Sequence, residues 1–305
     1  MEKDNTPGPK GRLMLGLGLA AGLLAGWTVL RRRRAIHRPS TLSFAKYESR
    51  TALITGASSG IGAAFARELA AKGYNLILVA RRQERLAALA TGLEADYRIT
   101  AEVLATDLSD PADVDWVEQR IAELDDLDIL INNAGFGAPG QFAQLDLARQ
   151  LDMINLHIIA SVRLTYAALP GMVARGRGAV INVSSVAGFV PVPGSATYSA
   201  TKAYLNVFSE ALQAELKGTG VVVQALCPGF THTGFHDTPD HEGFDQSQIP
   251  ELMWMTPEDV AAGSLDALGR SPVIYIPGLK NRLVAILARN TPPWLLQAVR
   301  YRSRQ

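Results

Sequence analysis

Tyr198 and Lys202 stand four residues apart in a segment of helical character, a spacing that puts both on one helix face. A phenol titrates near about 10 in isolation, and an adjacent ammonium favours its ionised form. The pair is therefore a candidate proton-transfer group near neutral pH. Just upstream, the apolar run Ala179 to Val183 reads as a strand ending in Ser184-Ser185. A hydroxyl at that strand end could hold a carbonyl oxygen for the phenol. Taken alone, the same spacing belongs to many exposed helices, and most Ser-Ser pairs are loop residues. The meaning rests on what else the chain carries, and in what order.

The elements that would position these groups alternate along the chain. Thr51 to Thr55 is a short β-like run leading into Gly56-Ala57-Ser58-Ser59-Gly60-Ile61-Gly62 and then a helical stretch. Strand, glycine-rich turn and helix start make a phosphate cradle, because glycines admit close backbone approach and free N–H groups at the helix start attract the anion. Tyr74 to Ala80 is the next strand. An acid after it would accept from a ribose 2′-hydroxyl and favour NAD; here Arg81-Arg82 follow. A guanidinium matches a 2′-phosphate, so NADP(H) is expected, against the alternative of two solvated helix-start arginines. Ile99 to Thr106 gives a third strand ending at Asp107-Leu108, and Leu127 to Ile131 a fourth ending in Asn132-Asn133-Ala134-Gly135. A long helix is expected from about Leu145 to Arg175, carrying Asn155. Val221 to Leu226 is the sixth strand, running into Cys227-Pro228-Gly229-Phe230-Thr231-His232-Thr233, and Val273 to Ile276 the seventh. This alternation indicates a doubly wound, Rossmann-like α/β fold with a parallel sheet of about seven strands. Ligands in such sheets bind at the carboxyl ends of the strands, where the glycine loop, Asp107, the Asn132–Gly135 turn and Ser184–Ser185 all fall.

The whole chain sets bounds. Its 305 residues suffice for one large α/β domain. Lys plus Arg number 30 against 29 for Asp plus Glu, so net charge gives no pull toward nucleic acid. One cysteine, Cys227, excludes an intramolecular disulfide framework and a Cys-rich metal site. Leu13 to Leu30 carries no charge and runs directly into Arg31-Arg32-Arg33-Arg34. About 18 apolar residues is near the lower limit for a bilayer span. Meeting four arginines rather than a small-residue cleavage site, the segment reads as a retained transmembrane anchor, not a cleaved signal peptide. Its heavier positive flank places the following domain in the cytoplasm. The expected organisation is an anchor with basic flank over 1–34, a linker over 35–48, a catalytic domain over 49–277 and a tail over 278–305.

Together, Thr55-Gly56-x-x-x-Gly60-x-Gly62, Asn132-Asn133-Ala134-Gly135, Asn155, Ser185, Tyr198-x-x-x-Lys202 and Pro228-Gly229 resemble the short-chain dehydrogenase/reductase family over roughly residues 48 to 277. The resemblance implies a catalytic set of Asn155, Ser185, Tyr198 and Lys202. Ser185, rather than Ser184, would polarise the substrate carbonyl, since the family places that serine thirteen residues before the tyrosine. Tyr198 would be the general acid in reduction, and Lys202 would lower its pKa and bond the nicotinamide ribose. Asn155 would help hold a water linked to that lysine. The cofactor would be lined by Gly56, Ser58, Ser59, Gly60, Ile61, Gly62, Arg81, Arg82, Asp107, Leu108, Asn132, Asn133, Ala134, Gly135, Pro228, Gly229 and Thr233, with Asp107 toward the adenine.

Ala187 to Gly194 and Phe230 to Met255 should border the substrate, contributing Phe189, Val190, Phe230, Phe235, Phe244, Met253, Trp254 and Met255. These either close an apolar lid over a hydrophobic ketone or pack against the sheet or a partner subunit. His232, His236 and His241 with Asp237 and Asp240 have ligand chemistry, but nothing in the resemblance calls for a metal and none is expected. Residues 278 to 305 mix apolar stretches with Lys280, Arg282, Arg289, Arg300, Arg302 and Arg304. Such a tail either lies on an anionic membrane surface or packs on the domain or a dimer partner. The expected function is a membrane-anchored NADPH-dependent oxidoreductase acting on a lipid-like carbonyl or alcohol, similar to membrane-bound steroid dehydrogenases and long-chain 3-oxoacyl reductases. The rival is a cofactor-binding regulatory or scaffold protein without turnover.

Overall fold

A computed structural model describes residues 50–235 and 246–290 of the chain. The expected span Leu13–Leu30, its basic flank and the linker lie outside the described residues, as does the tail beyond 290. Thr51–Thr55 (β1), Asn75–Ala80 (β2), Ala101–Ala105 (β3), Leu127–Asn132 (β4), Gly178–Val183 (β5), Val221–Leu226 (β6) and Ile274–Tyr275 (β7) form one sheet in the order β3-β2-β1-β4-β5-β6-β7. Every neighbouring pair is parallel. Helices Gly60–Ala71 (α1), Gln83–Tyr97 (α2), Pro111–Ala122 (α3), Leu147–Ala174 (α4), Ala196–Glu215 (α5) and Pro257–Ala267 (α6) make the crossovers, and Leu279–Asn290 (α7) follows β7.

The central strands are apolar runs because both of their faces are covered. Along β1, Leu53 and Ile54 point to opposite sides, and each is fully buried. Ile54, Leu78, Ile131 and Ile181 pack with Phe65 and Leu69 of α1, Leu86 of α2 and Leu265 of α6. Leu53, Ile77, Leu130 and Val180 pack with Val117 of α3, Leu164 and Met172 of α4 and Leu216 beyond α5. Complete burial of one such side chain contributes about 1.5–3 kcal/mol, so two filled layers fix the sheet firmly between its helices. Among the described residues, one helix, α4, is long and apolar enough to cross a membrane. It lies on the sheet through Leu164, Ala168 and Met172, as a core helix does.

Local signals set the helix starts. Asp110 accepts from the Ala112 N–H ahead of Pro111, and Thr256 accepts from the Asp259 N–H ahead of Pro257, each an N-cap with proline in the first turn. The long helix α4 is not uniform: residues Asn155–Ala160 form a π-helical turn between two α-helical stretches. Because the chain turns back after β3 and resumes at β4 beside β1, the carboxyl ends of β1 and β4 flank a crevice, the usual ligand position in such sheets.

Candidate active site

The glycine loop follows β1 at this crevice. Gly60 adopts a left-handed conformation, φ 55°, and a Cβ there would lie 2.8 Å from Thr233 Cγ2. Gly62 has ordinary helical geometry, but a Cβ would lie 2.6 Å from Asn133 Nδ2 and closer still to the Gly56 carbonyl. Only bare backbone fits, and it is bare backbone that a pyrophosphate can approach. Thr55 ties the loop to the turn after β4: its hydroxyl accepts from the Asn133 and Ala134 N–H groups, both at 2.9 Å. Asn133 Nδ2 donates back to the Thr55 carbonyl at 2.8 Å. Asn132 instead turns into the core, where Nδ2 donates to Asn182 Oδ1 and Thr165 Oγ1. Leu108 is likewise a core residue, 5% exposed. Ile61 is half-buried and packs against the inner layer under α1.

The two arginines after β2 divide their work. Arg81 lies 3.5 Å from the Asp107 carboxylate, whereas Arg82 donates to Ser58 Oγ at 2.7 Å and to Ser59 Oγ at 2.6 Å. Arg82 is thus the guanidinium laid across the glycine loop. Partial burial, then Arg85 and Arg81 beside it, hold its pKa below the ordinary value. Three clustered cations, one of them partly buried, make a site that a dianionic phosphate would relieve. Arg85, one helical turn beyond Arg82, carries no sequence signal of its own. Asp107 is occupied: burial alone would raise its pKa, but the Ser109 hydroxyl and N–H, and then Arg81, hold it lower. Its carboxylate organises the β3–α3 loop. A groove of about 890 Å³ runs on the outer side of the glycine loop past Ser59, Arg67 and Arg85 to Thr233. It includes none of Ser185, Tyr198 or Lys202, so the candidate chemistry lies at the strand ends instead.

At the end of β5, Ser184 and Ser185 part company. Ser184 Oγ donates to the Lys202 carbonyl and is buried as a brace between strand and helix. Ser185 Oγ accepts from the Ala187 N–H, starting the short turn Val186–Phe189, and its hydroxyl acts on the Tyr198 phenol, lowering its pKa. Lys202 is 5% exposed, and its Nζ donates to the Val183 carbonyl at 2.9 Å. That ammonium lies 5.6 Å from the centre of the Tyr198 ring. Ser185, Tyr198 and Lys202 are therefore brought together. Asn155 begins the π-helical turn, which packs against α5, the helix carrying Tyr198 and Lys202.

The electrostatics depart from the expectation that Lys202 lowers the phenol. Burial pushes the Tyr198 phenol up to about 12, with the Ser185 hydrogen bond working against it. Part of the ring remains accessible, yet the surrounding protein still penalises a phenolate. The lysine itself gives way: burial brings it down to about 8, opposed by Cys227. Desolvation outweighs the mutual attraction that i and i+4 spacing suggests.

The expected apolar border is assembled in part. Phe235 lies against Tyr198 with ring centres 5.8 Å apart, and Phe230 against Trp254 at 5.4 Å. Met255 N–H donates to the Phe230 carbonyl and His232 N–H to Met255, zipping the two segments. Phe189 and Val190 are half-buried after β5. Phe244, His236, His241, Asp237 and Asp240 lie outside the described residues. His232 pairs with Glu251 at 3.0 Å, and among the described residues no cluster has the makings of a metal site. Pro228 accepts from the Val186 N–H, linking the loop after β6 to that after β5. Gly229 leaves room for Asn281 of α7.

The family model for short chain dehydrogenases matches residues 50–242. The chain belongs to the short chain dehydrogenase family. It is 38% identical over 225 residues to a very-long-chain 3-oxoacyl-CoA reductase of Phaeosphaeria nodorum, covering 72% of this chain and 63% of that protein. Very-long-chain 3-oxoacyl-CoA reductase-A of Danio rerio is 35% identical, over 72% of this chain and 66% of that one. The inactive hydroxysteroid dehydrogenase-like protein 1 of Homo sapiens is 37% identical, over 62% and 58%. The chain thus spans a little under two thirds of the length of these relatives. Among solved structures, a short-chain dehydrogenase from Sphingobium yanoikuyae in complex with NADPH is 39% identical with a TM-score of 0.71, over 78% of this chain and 91% of that one.

A buried lysine at about 8 makes a signed prediction. Between about pH 8 and the ordinary lysine range near 10.4, the unfolded chain holds a proton that the folded chain has shed. Folded stability therefore rises with pH across that window. Relative to Lys202→Met, wild-type Tm should climb between pH 7.5 and 10; a constant difference would contradict the burial.

Proposed function

We propose that this short chain dehydrogenase interconverts a carbonyl and an alcohol on an apolar, lipid-like substrate, with Tyr198 as general acid/base. The cofactor is NADP(H), and when bound it supplies the hydride. The observation that carries the reading is the meeting of Ser185, Tyr198 and Lys202 at the end of β5. Ser185 Oγ holds the substrate oxygen. Tyr198 Oη gives its proton to that oxygen as the carbon receives hydride, so the double bond becomes C–H and O–H. A phenol raised to about 12 is protonated at neutral pH, the form that reduction needs. Lys202, pinned on Val183, presents its charge to the phenol and the ribose; Asn155 serves that lysine through water. Arg82, with Arg81 and Arg85, receives the 2′-phosphate, and Gly56 to Gly62 with Thr233 the pyrophosphate and carboxamide.

The similarity to very-long-chain 3-oxoacyl-CoA reductases and the apolar border of Phe189, Phe230, Phe235 and Trp254 favour a lipid-like substrate. A 3-oxoacyl chain fits both. Membrane attachment is part of the same reading: residues 1–34 anchor the chain, a linker follows over 35–48, the catalytic domain over 49–277 stays on the cytoplasmic side, and the tail over 278–305 rests on the bilayer. The described part of that tail supports it. Helix α7 buries Ala285 and Asn281 against the domain, while Leu279, Leu283, Ile286 and Leu287 are more than half exposed. Lys280 and Arg282 are exposed on the same helix, giving an apolar face with cationic flanks. A second reading, an NADP-binding protein without turnover, is favoured by the similarity to the inactive dehydrogenase-like protein. The intact Asn155, Ser185, Tyr198 and Lys202 set weighs against it, because binding alone needs no proton donor.

Three measurements test this function. Tyr198→Phe should lose nearly all turnover of a 3-oxoacyl or ketone panel while binding NADPH normally; undiminished activity removes the general acid. Arg82→Ala should lower kcat/KM for NADPH about tenfold or more and leave NADH little changed, since a charge-assisted contact contributes about 1.5–3 kcal/mol. An equal loss with both cofactors would point away from the 2′-phosphate. With residues 1–34 removed, the chain should still sediment with anionic vesicles, and Leu283→Glu with Leu287→Glu should release it. No affinity in the parent would favour simple packing of the tail.

A further inference from the structure

His157 has no part in the scheme above, and its sequence context is that of a lone histidine on an apolar helix. In the structure it is 1% exposed, within the π-helical turn of α4. The Phe136 backbone N–H donates to its Nε2 at 3.1 Å. Nε2 must then be bare, which assigns the ring proton to Nδ1. Nδ1 lies 2.9 Å from Thr201 Oγ1, and the Thr201 hydroxyl donates to the Tyr198 carbonyl at 2.8 Å. The ring also meets Tyr198 edge-on, with centres 5.8 Å apart and planes at 75°. Space for it is left by Gly135, where a Cβ would lie 2.7 Å from Nε2.

We propose that His157 is a positioning residue for the reacting phenol: its Nδ1–H imidazole ties the cofactor-lining turn after β4 to the turn of α5 that presents Tyr198. The inference rests on Tyr198 being the proton donor. The chain of donors runs one way, from Phe136 N–H to His157, from His157 to Thr201, and from Thr201 to Tyr198. Few side chains accept at one edge and donate at the other from one rigid ring. Protonation would turn Nε2 into a donor facing the Phe136 N–H and add a second charge near Lys202. Lys202, on α5, is the charged group that faces the ring; Tyr198 is the other titratable one, and burial with Lys202 keeps the imidazole far below its ordinary range. The device therefore stays in one tautomer at physiological pH.

The test compares His157→Leu, Thr201→Val and Thr201→Ser in the full chain. His157→Leu and Thr201→Val should each lower kcat about tenfold to a hundredfold, the scale of a misplaced reacting group, with NADPH Kd within about twofold of wild type. Thr201→Ser keeps the hydroxyl and should recover most of what Thr201→Val loses. The double variant His157→Leu/Thr201→Val should be no slower than the slower single, since both break one relay. A readout independent of turnover is stability against pH. Below about pH 6.5 the unfolded imidazole takes up a proton that the folded one refuses, so wild-type Tm should fall relative to His157→Leu between pH 6.5 and 5. A kcat within twofold of wild type in Thr201→Val, with Tyr198→Phe inactive, overturns the positioning role and leaves the function standing. Activity in Tyr198→Phe would instead remove the function, and this inference with it. If His157→Leu fails to fold, the Thr201 pair decides.

Discussion

An ammonium group held almost out of water at the end of β5 is the constraint on which the proposed chemistry depends. Lys202 Nζ donates to the Val183 carbonyl, and burial lowers its pKa to about 8. Such a group costs stability unless it is paired or hydrogen-bonded. It is placed by two elements that the rest of the fold must deliver accurately: the last residue of β5 and the second turn of α5. Ser184 braces the same junction by donating to the Lys202 carbonyl. The sheet order, the two apolar layers and the loop after β6 are what keep those elements in register.

The electrostatic picture is one of shared reluctance to ionise. Tyr198 and Lys202 both shift toward their neutral forms because both are desolvated, and the Ser185 hydrogen bond offsets only part of the phenol's shift. At neutral pH this leaves a protonated phenol beside a lysine still largely charged. A protonated phenol is the form that the proposed reduction uses. On the nucleotide side the logic is reversed: Arg82 is crowded by Arg85 and Arg81, so an anion would relieve the cluster.

Much of the fold was legible in the sequence because the strands are buried on both faces and so read as uninterrupted apolar runs. β1 and β6 were expected at their observed limits, Thr51–Thr55 and Val221–Leu226. The outer strands were overestimated: Ile99 to Thr106 shrinks to Ala101–Ala105 and Val273 to Ile276 to Ile274–Tyr275, since edge positions have a partner on one side only. Ser185, Tyr198 and Lys202 could be picked out by type and spacing. What could not be read is any property depending on residues far apart in sequence. Arg81 pairs with Asp107 across two strand ends, which separates its role from that of Arg82. His157 acquires its role from Phe136 and Thr201, 21 and 44 residues away. The direction of the Tyr198 shift depends on burial, which i and i+4 spacing does not encode.

The proposed function requires hydride from the bound cofactor and a proton from Tyr198 to reach one carbonyl. The most direct measurement follows isotope from cofactor to product: the chain is incubated with NADPH carrying deuterium at both positions of the reactive nicotinamide carbon and a medium-chain 3-oxoacyl thioester. The account predicts a 3-hydroxy product with one deuterium at the new carbinol carbon. Cofactor that binds tightly while neither a 3-oxoacyl thioester nor any ketone of an apolar panel takes up label would contradict it.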